Sequence, residues 1–197
     1  MDAWVWIVIA VVVVAVIAIV AIVVWQQRRR KELRESFGAE YERAVAREGD
    51  VRKGESELMA RRERRAEFDI RPLSPQSRTA YARSWDETQA RFVDDPATAL
   101  AQADSLIIAV MGERGYPMDD FDRRAEDISV DHPDVVQHYR AAHDISVRLD
   151  QEPNASADST NSVSTEDLRQ GLVHYRALFQ ELLETDEDEP ARDRATG

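Results

Sequence analysis

The chain has 197 residues, a formal charge of −12 and no cysteine. Lack of cysteine excludes disulfides, thiol catalysis and thiolate metal sites. Residues 1–31 hold one acid and four bases, +3, which leaves −15 on residues 32–197; a domain so charged repels polyanions, so nucleic acid is not a predicted partner.

Ala3 to Trp25 is an uncharged run of twenty-three residues, almost all Val, Ile, Ala and Trp. As a helix it covers about 34 Å, against a bilayer core of about 30 Å. In lipid a lone segment satisfies its backbone only as a helix, which overrides the weak helix preference of β-branched residues. Trp4 and Trp6 near one end and Trp25 at the other match interfacial aromatics. The leader Met1-Asp2 is not basic and no small-residue cleavage pattern follows the run, so residues 1–27 are predicted to be an intact transmembrane anchor with the lipid bilayer as partner. Arg28, Arg29, Arg30 and Lys31 follow at once. By the positive-inside rule they place the N-terminus outside and the rest of the chain in the cytoplasm. Contact with anionic headgroups is their second possible use, after this topology signal. The run has no Gly and no pair of small residues four apart, so it carries no dimerisation motif.

Residues 28–36 are predicted to continue as a basic juxtamembrane helix, and residues 37–149 to form a helical domain. Phe37, Tyr41 and Val45 make a short apolar stripe; Gly49 and Gly54 weaken the helix beyond it. The run Arg61-Arg62-Glu63-Arg64-Arg65 is expected to be a solvated helix face, with a basic docking patch as the functional alternative. Pro72 breaks the chain, and Ser74-Pro75 reads as an N-cap and first-turn proline. The helix that follows should bury Tyr81, Trp85, Phe92 and Val93. Tyr81 and Trp85 fit a core better than an exposed aromatic surface.

Asp95-Pro96 is a second helix start, with Leu100, Ala103, Ile107, Val110 and Met111 on one side and Gly115 as its stop before Pro117. Asp119 starts a short helix with Phe121, Ala125 and Ile128 inward. Asp131-His132-Pro133 is a third start, leading to Val135, Val136, Tyr139, Ala142 and Ile145. Residues 150–163 are a polar linker, poor in apolar residues. Ser164-Thr165-Glu166-Asp167 resembles a capping box and opens a helix over 164–184 with Leu168, Leu172, Tyr175, Phe179 and Leu182 at 3–4 spacing. That helix either closes the bundle in cis or docks on a partner, and cis closure is favoured because burying such a stripe is what stabilises a helix. Residues 185–197 are read as a disordered acidic tail. The fold class is all-α: a single N-terminal transmembrane helix followed by a soluble helical bundle.

Chemistry is sparse. His138 and His143 are five residues apart and diverge around a helix; Asp134 and His138 are four apart and share a face; His174 joins them only through the fold. The acids around Asp120 and Asp122 fail a calcium-loop test, because Ala125 stands where a glycine is needed. No phosphate loop, nucleophile elbow or zinc-helix motif is present. No catalytic residue, metal ligand set or cofactor is assigned. Candidate binding loops are Arg114-Gly115-Tyr116-Pro117 and Ser129-Val130-Asp131-His132-Pro133, because loops on a rigid scaffold carry binding; turn and cap chemistry explains Gly115, Asp131 and Pro133 without a ligand.

The segments Asp69-Ile70-Arg71-Pro72-Leu73-Ser74, Arg91-Phe92-Val93-Asp94-Asp95-Pro96, Arg114-Gly115-Tyr116-Pro117 and Ser129-Val130-Asp131-His132-Pro133, followed by Tyr139-Arg140-Ala141-Ala142-His143, resemble a family of uncharacterised bacterial proteins. Its members have an N-terminal hydrophobic segment, and some are labelled secreted or membrane proteins. The resemblance spans roughly residues 35–183. It implies a bacterial membrane setting and no particular activity, cofactor or functional residue. Together these features predict a bacterial inner-membrane, single-pass adaptor or scaffold, not an enzyme, with a protein partner. The alternatives are an enzyme or metal-linked protein using the region Asp131–His143, and an accessory subunit of a membrane complex.

Overall fold

A computed structural model describes residues 3–151 and 163–184. Among these the chain is all-α, in eight helices: α1 (Ala3–Phe37), α2 (Ala39–Glu48), α3 (Val51–Ala66), α4 (Pro75–Arg91), α5 (Pro96–Arg114), α6 (Phe121–Asp131), α7 (Val136–Gln151) and α8 (Thr165–Glu184). The contacts divide between Ala60 and Arg61 into two compact units, so the domain expected from residue 37 onward is split inside α3.

In the first unit, α1 fuses the apolar run and the basic stretch into one helix of 35 residues. Within Val11–Phe37 an 18-residue window reaches a mean hydropathy of 2.2, and none of it is buried against protein. The N-terminal helix is therefore long and apolar enough to cross a membrane. Gly38 (φ 51°) ends α1 and Gly49 (φ 65°) ends α2 through Gly49 N–H to Val45 O at 3.0 Å. Gly54 behaves differently from the expectation. It lies inside α3, where an added Cβ would fall 2.8 Å from Val45 Cα. Its lack of a side chain lets the α2 and α3 backbones touch, and that packing offsets the helix propensity it costs.

In the second unit α5 is central, packing on α4, α7 and α8, while α7 and α8 form the most extensive pair. Leu100, Ala103, Ile107, Val110 and Met111 of α5 are fully buried, as their spacing predicts. The N-caps are those expected at Ser74, whose Oγ accepts from Ser77 N–H at 3.0 Å, and Asp95, whose Oδ1 accepts from Thr98 N–H at 3.1 Å. Gly115 (φ 98°) stops α5, and the backbone of Asp69 lies where a Cβ would be. The residues before α4 cross this turn, with Arg71 N–H donating to Arg114 O at 2.9 Å.

Ser164 and Asp167 form the reciprocal capping box: Ser164 N–H donates to Asp167 Oδ2 at 2.9 Å and Asp167 N–H to Ser164 Oγ at 3.1 Å. All five stripe residues of α8 are buried in the shared core, so α8 closes the bundle in cis.

Several expected positions shift. The cap of α6 is Asp120, not Asp119. Asp131 is the last residue of α6 and caps no new helix; His132 ends α6 and α7 starts only at Val136. Val93 lies past the end of α4 and is 83% exposed. Residues 150–151 still belong to α7, and Val163 packs on the core, so the linker is shorter at both ends. Its middle, residues 152–162, and the acidic tail, residues 185–197, lie outside the described residues.

Candidate functional site

The two candidate loops converge, but as a partly buried polar latch. Tyr116 Oη donates to Asp131 Oδ2 at 2.7 Å, and Arg65 Nε of α3 donates to the same oxygen at 2.5 Å. Burial raises the Tyr116 pKa first, and the neighbouring Asp131 carboxylate adds to it. Arg114 reaches across to α8, donating from NH1 to Leu182 O at 2.7 Å. That caps a terminal carbonyl of α8 with a cation, the favourable sign at a helix C-terminus. His132 Nδ1 meets Glu181 Oε1 of α8 at 3.2 Å. Burial lowers its pKa against the opposing pull of Glu181, so a neutral ring donates through Nδ1. Arg114, Tyr116 and His132 are buried, whereas Pro117 and Pro133 are half-buried turn residues and Asp131 retains surface. These residues hold the end of α8 and the end of α3 against the α5–α6 and α6–α7 turns.

The arginine run of α3 extends the latch. Arg61 is 2% exposed, with NH1 donating to Ser129 Oγ at 3.3 Å and NH2 3.5 Å from Glu126 Oε1. Arg64 Nε donates to Asp127 Oδ1 at 2.8 Å. Burial outweighs this partner and raises the Asp127 pKa. The solvated face expected for Arg61–Arg65 is thus in large part a charge-paired interface within the second unit. Sequence periodicity missed it because its acids lie 62 to 66 residues away in sequence.

Of the four histidines, the fold brings His138 and His174 together. His138 Nδ1 and His174 Nδ1 lie 2.8 Å apart, so only one of them carries a proton between neutral rings. His143 stacks on Phe121, with centroids 3.5 Å apart. Among the described residues no group of three or more His, Asp or Glu is placed to hold a metal ion.

An open feature lies elsewhere. A groove of about 460 Å³ runs between α4 and α8, floored by Ala82, Trp85, Phe179 and Leu183 and edged by Arg78, Asp86, Arg176 and Glu184. Trp85 and Phe179 stack at 4.6 Å and 18°. Trp85 is only 5% exposed, yet its Nε1 has no hydrogen-bond partner. A buried N–H donor left unmade costs about 1–3 kcal/mol. Elsewhere on α4, Tyr81 Oη donates to Glu113 Oε2 of α5 at 2.8 Å, and desolvation followed by that bond pushes its pKa up to about 12. Trp85 is therefore core, as its spacing predicts, and also part of the groove floor. The flank of α8 that completes the groove is polar at Arg176, Gln180 and Glu184, which hid it from a hydrophobic pattern.

In the first unit, Trp4, Trp6 and Trp25 are 72%, 63% and 60% exposed. Arg29 lies over the Trp25 ring at 5.5 Å, Arg30 Nε pairs with Glu55 Oε1 at 3.0 Å, and Lys31 faces Glu35 at 3.7 Å. Arg28 is exposed. No protein-family model, curated protein or solved structure matches the chain.

Proposed function

We propose that the chain is a single-pass membrane adaptor. Its non-catalytic helical domain would hold a protein partner at the α4–α8 groove. The observation that carries this is the open groove itself, whose floor of Ala82, Trp85, Phe179 and Leu183 lies between opposite charges at its edges. A partner helix or extended segment that lays an apolar side chain against Phe179 and Leu183 would cover this floor. Opposite charges at the rim, Arg78 and Arg176 against Asp86 and Glu184, favour a partner with mixed charges flanking its apolar face. Tethering raises the local concentration of the domain at the bilayer, so a modest groove affinity suffices.

Arg28, Arg29, Arg30 and Lys31 support a cytoplasmic domain with the N-terminus outside. The resemblance to bacterial membrane proteins supports the inner membrane as the setting. Because the chain has no native cysteine, single cysteines at Met1 and in residues 152–162 report sidedness. An impermeant thiol reagent that labels the second position in intact cells overturns this orientation.

The docking test uses a photo-crosslinker at Gln180 in the groove and, as control, at exposed Asp144 of α7. The expected result is one adduct specific to Gln180, mapping to a single segment of one partner and lost in Ala82→Phe. Identical adducts from both positions, or adducts that survive groove filling, overturn the proposal.

A further inference from the structure

A second pocket lies wholly in the first unit, where the apolar run of α1 gives way to charge. It measures about 260 Å³ and is lined by Trp25, Gln26, Arg29, Arg30, Arg52 and Glu55, with Ser56 beside them. Four lining residues come from α1 and three from α3. On α1, Trp25 and Arg29 are four residues apart and share a face; on α3, Arg52 and Ser56 do the same. Three guanidiniums and one carboxylate leave the lining at +2.

The charges are not equally committed. Arg30 is engaged by Glu55 at 3.0 Å, and Glu55 also accepts from Tyr41 Oη at 3.0 Å. Arg29 lies over Trp25, and neither Arg29 nor Arg52 has a carboxylate partner among the described residues. Two planar donor forks beside a serine hydroxyl and a glutamine amide are suited to tetrahedral oxyanions, which arginine binds in bidentate fashion. Depth adds a second constraint. With Trp25 at the interface, Arg29 sits about 6 Å further along the helix axis, at headgroup level.

We infer that Arg29, Arg52 and Ser56, steadied by Trp25 and the Arg30–Glu55 pair, form a binding site for a phosphate group, supplied by an anionic phospholipid of the leaflet that α1 enters. This rests on α1 being a membrane span. It differs from general attraction of the basic run to a charged surface, because Arg52 lies outside that run and Arg28 lies outside the pocket.

That difference sets the experiment. The full chain is reconstituted in nanodiscs of phosphatidylcholine doped with phosphatidylglycerol, and the retained phosphatidylglycerol is counted by native mass spectrometry. Arg52→Gln is expected to lower retention about tenfold, the equivalent of one charge-assisted hydrogen bond, and Arg28→Gln less than about twofold. Arg52→Lys keeps the charge and loses the fork, so it is expected to fall close to Arg52→Gln. Helix content by circular dichroism verifies that each variant is folded. Equal losses for Arg28→Gln and Arg52→Gln, or full retention in Arg52→Lys, overturn the pocket and leave only diffuse attraction. Inorganic phosphate is the second arm. Its displacement of all bound phosphatidylglycerol reassigns the site to a soluble phosphate, and lack of displacement supports the lipid. A chain that fails to enter nanodiscs overturns the span itself, a result distinct from loss of headgroup selectivity.

Discussion

Gly171 sits on α8 where α5, α7 and α8 meet. A Cβ there would lie 2.9 Å from Leu100 Cδ1, 3.4 Å from Leu100 Cδ2 and 3.5 Å from Ile145 Cδ1. In an exposed helix Gly→Ala stabilises by about 1 kcal/mol. Here Leu100 is fully buried in a filled core and must leave its rotamer, a cost of about 1–3 kcal/mol. Gly171→Ala is therefore expected to destabilise by about 1 kcal/mol net, lowering the thermal midpoint by about 2–4 °C. Leu100→Ala alone should cost about 2–5 kcal/mol, because it opens a cavity. In that background the same Gly171→Ala places a methyl in empty space and becomes stabilising by about 1 kcal/mol. The sign reversal gives a coupling of about 2 kcal/mol, which a double-mutant cycle resolves by circular dichroism melts of the detergent-solubilised chain. Equal effects of Gly171→Ala in both backgrounds would refute the direct packing of α8 on α5, and with it closure of the bundle in cis.

Three further expectations follow from the buried charges and from α8. Burial depresses the pKa of His132, and burial with the neighbouring His138 depresses that of His174. Below their ordinary value of 6.5 the unfolded chain therefore binds protons that the folded one refuses, so stability is full above that value and falls as pH drops through it. Thermal midpoints at pH 7.5, 6.5 and 5.5 should decline, and His132→Gln should flatten part of the slope; an unchanged slope in both His132→Gln and His174→Gln refutes the assignment. Arg61→Ala removes one partner from buried Glu126 while Arg64 and Arg123 stay near it, so a loss of about 2–3 kcal/mol is expected, below the 3–5 typical of a broken buried pair. Arg169→Ala, which breaks the exposed pair with Glu166, should leave the urea midpoint unmoved; matching losses from the two variants would contradict the burial of Arg61. Amide exchange in the middle of α8 should be as slow as in α5, and much faster exchange there would mean that α8 detaches.

The signals that held are local ones. Ser74-Pro75, Asp95-Pro96, Gly115 and the Ser164–Asp167 box act within four residues of themselves, through orphaned backbone groups that any helix end must satisfy. Their caps appear where the sequence places them. The apolar stripes of α5 and α8 were equally clear, because the hydrophobic demand repeats every turn. The errors share a different cause. Arg61 and Arg64 read as solvated because their acids, on α6, are visible only after folding. Asp131 looks like a cap before Pro133, but its carboxylate is drawn to Tyr116 and Arg65, so it ends one helix and starts none. Gly54 reads as a helix breaker until Val45 is placed against it. Neither pocket was legible as a pocket: each is shared by two helices distant in sequence, and most of its lining residues are polar.

The way α8 is held bears on how a partner could bind. Its inward stripe is buried, its first turn is closed by a reciprocal cap, and its last turn is gripped by Arg114 and His132. Releasing α8 would expose Leu168, Leu172, Tyr175, Phe179 and Leu182 together. At about 1.5–3 kcal/mol for each large apolar side chain, that is on the order of 10 kcal/mol, comparable with the whole stability of a domain this size. A partner that captured a detached α8 would have to supply that energy. A partner that enters the existing groove between α4 and α8 does not, since Trp85 and Phe179 are already stacked and the rim charges already set. The latch residues thus serve binding indirectly: by fixing the end of α8, they fix one wall of the groove. Loss of Arg114 should therefore weaken groove binding while leaving every residue that lines the groove unchanged.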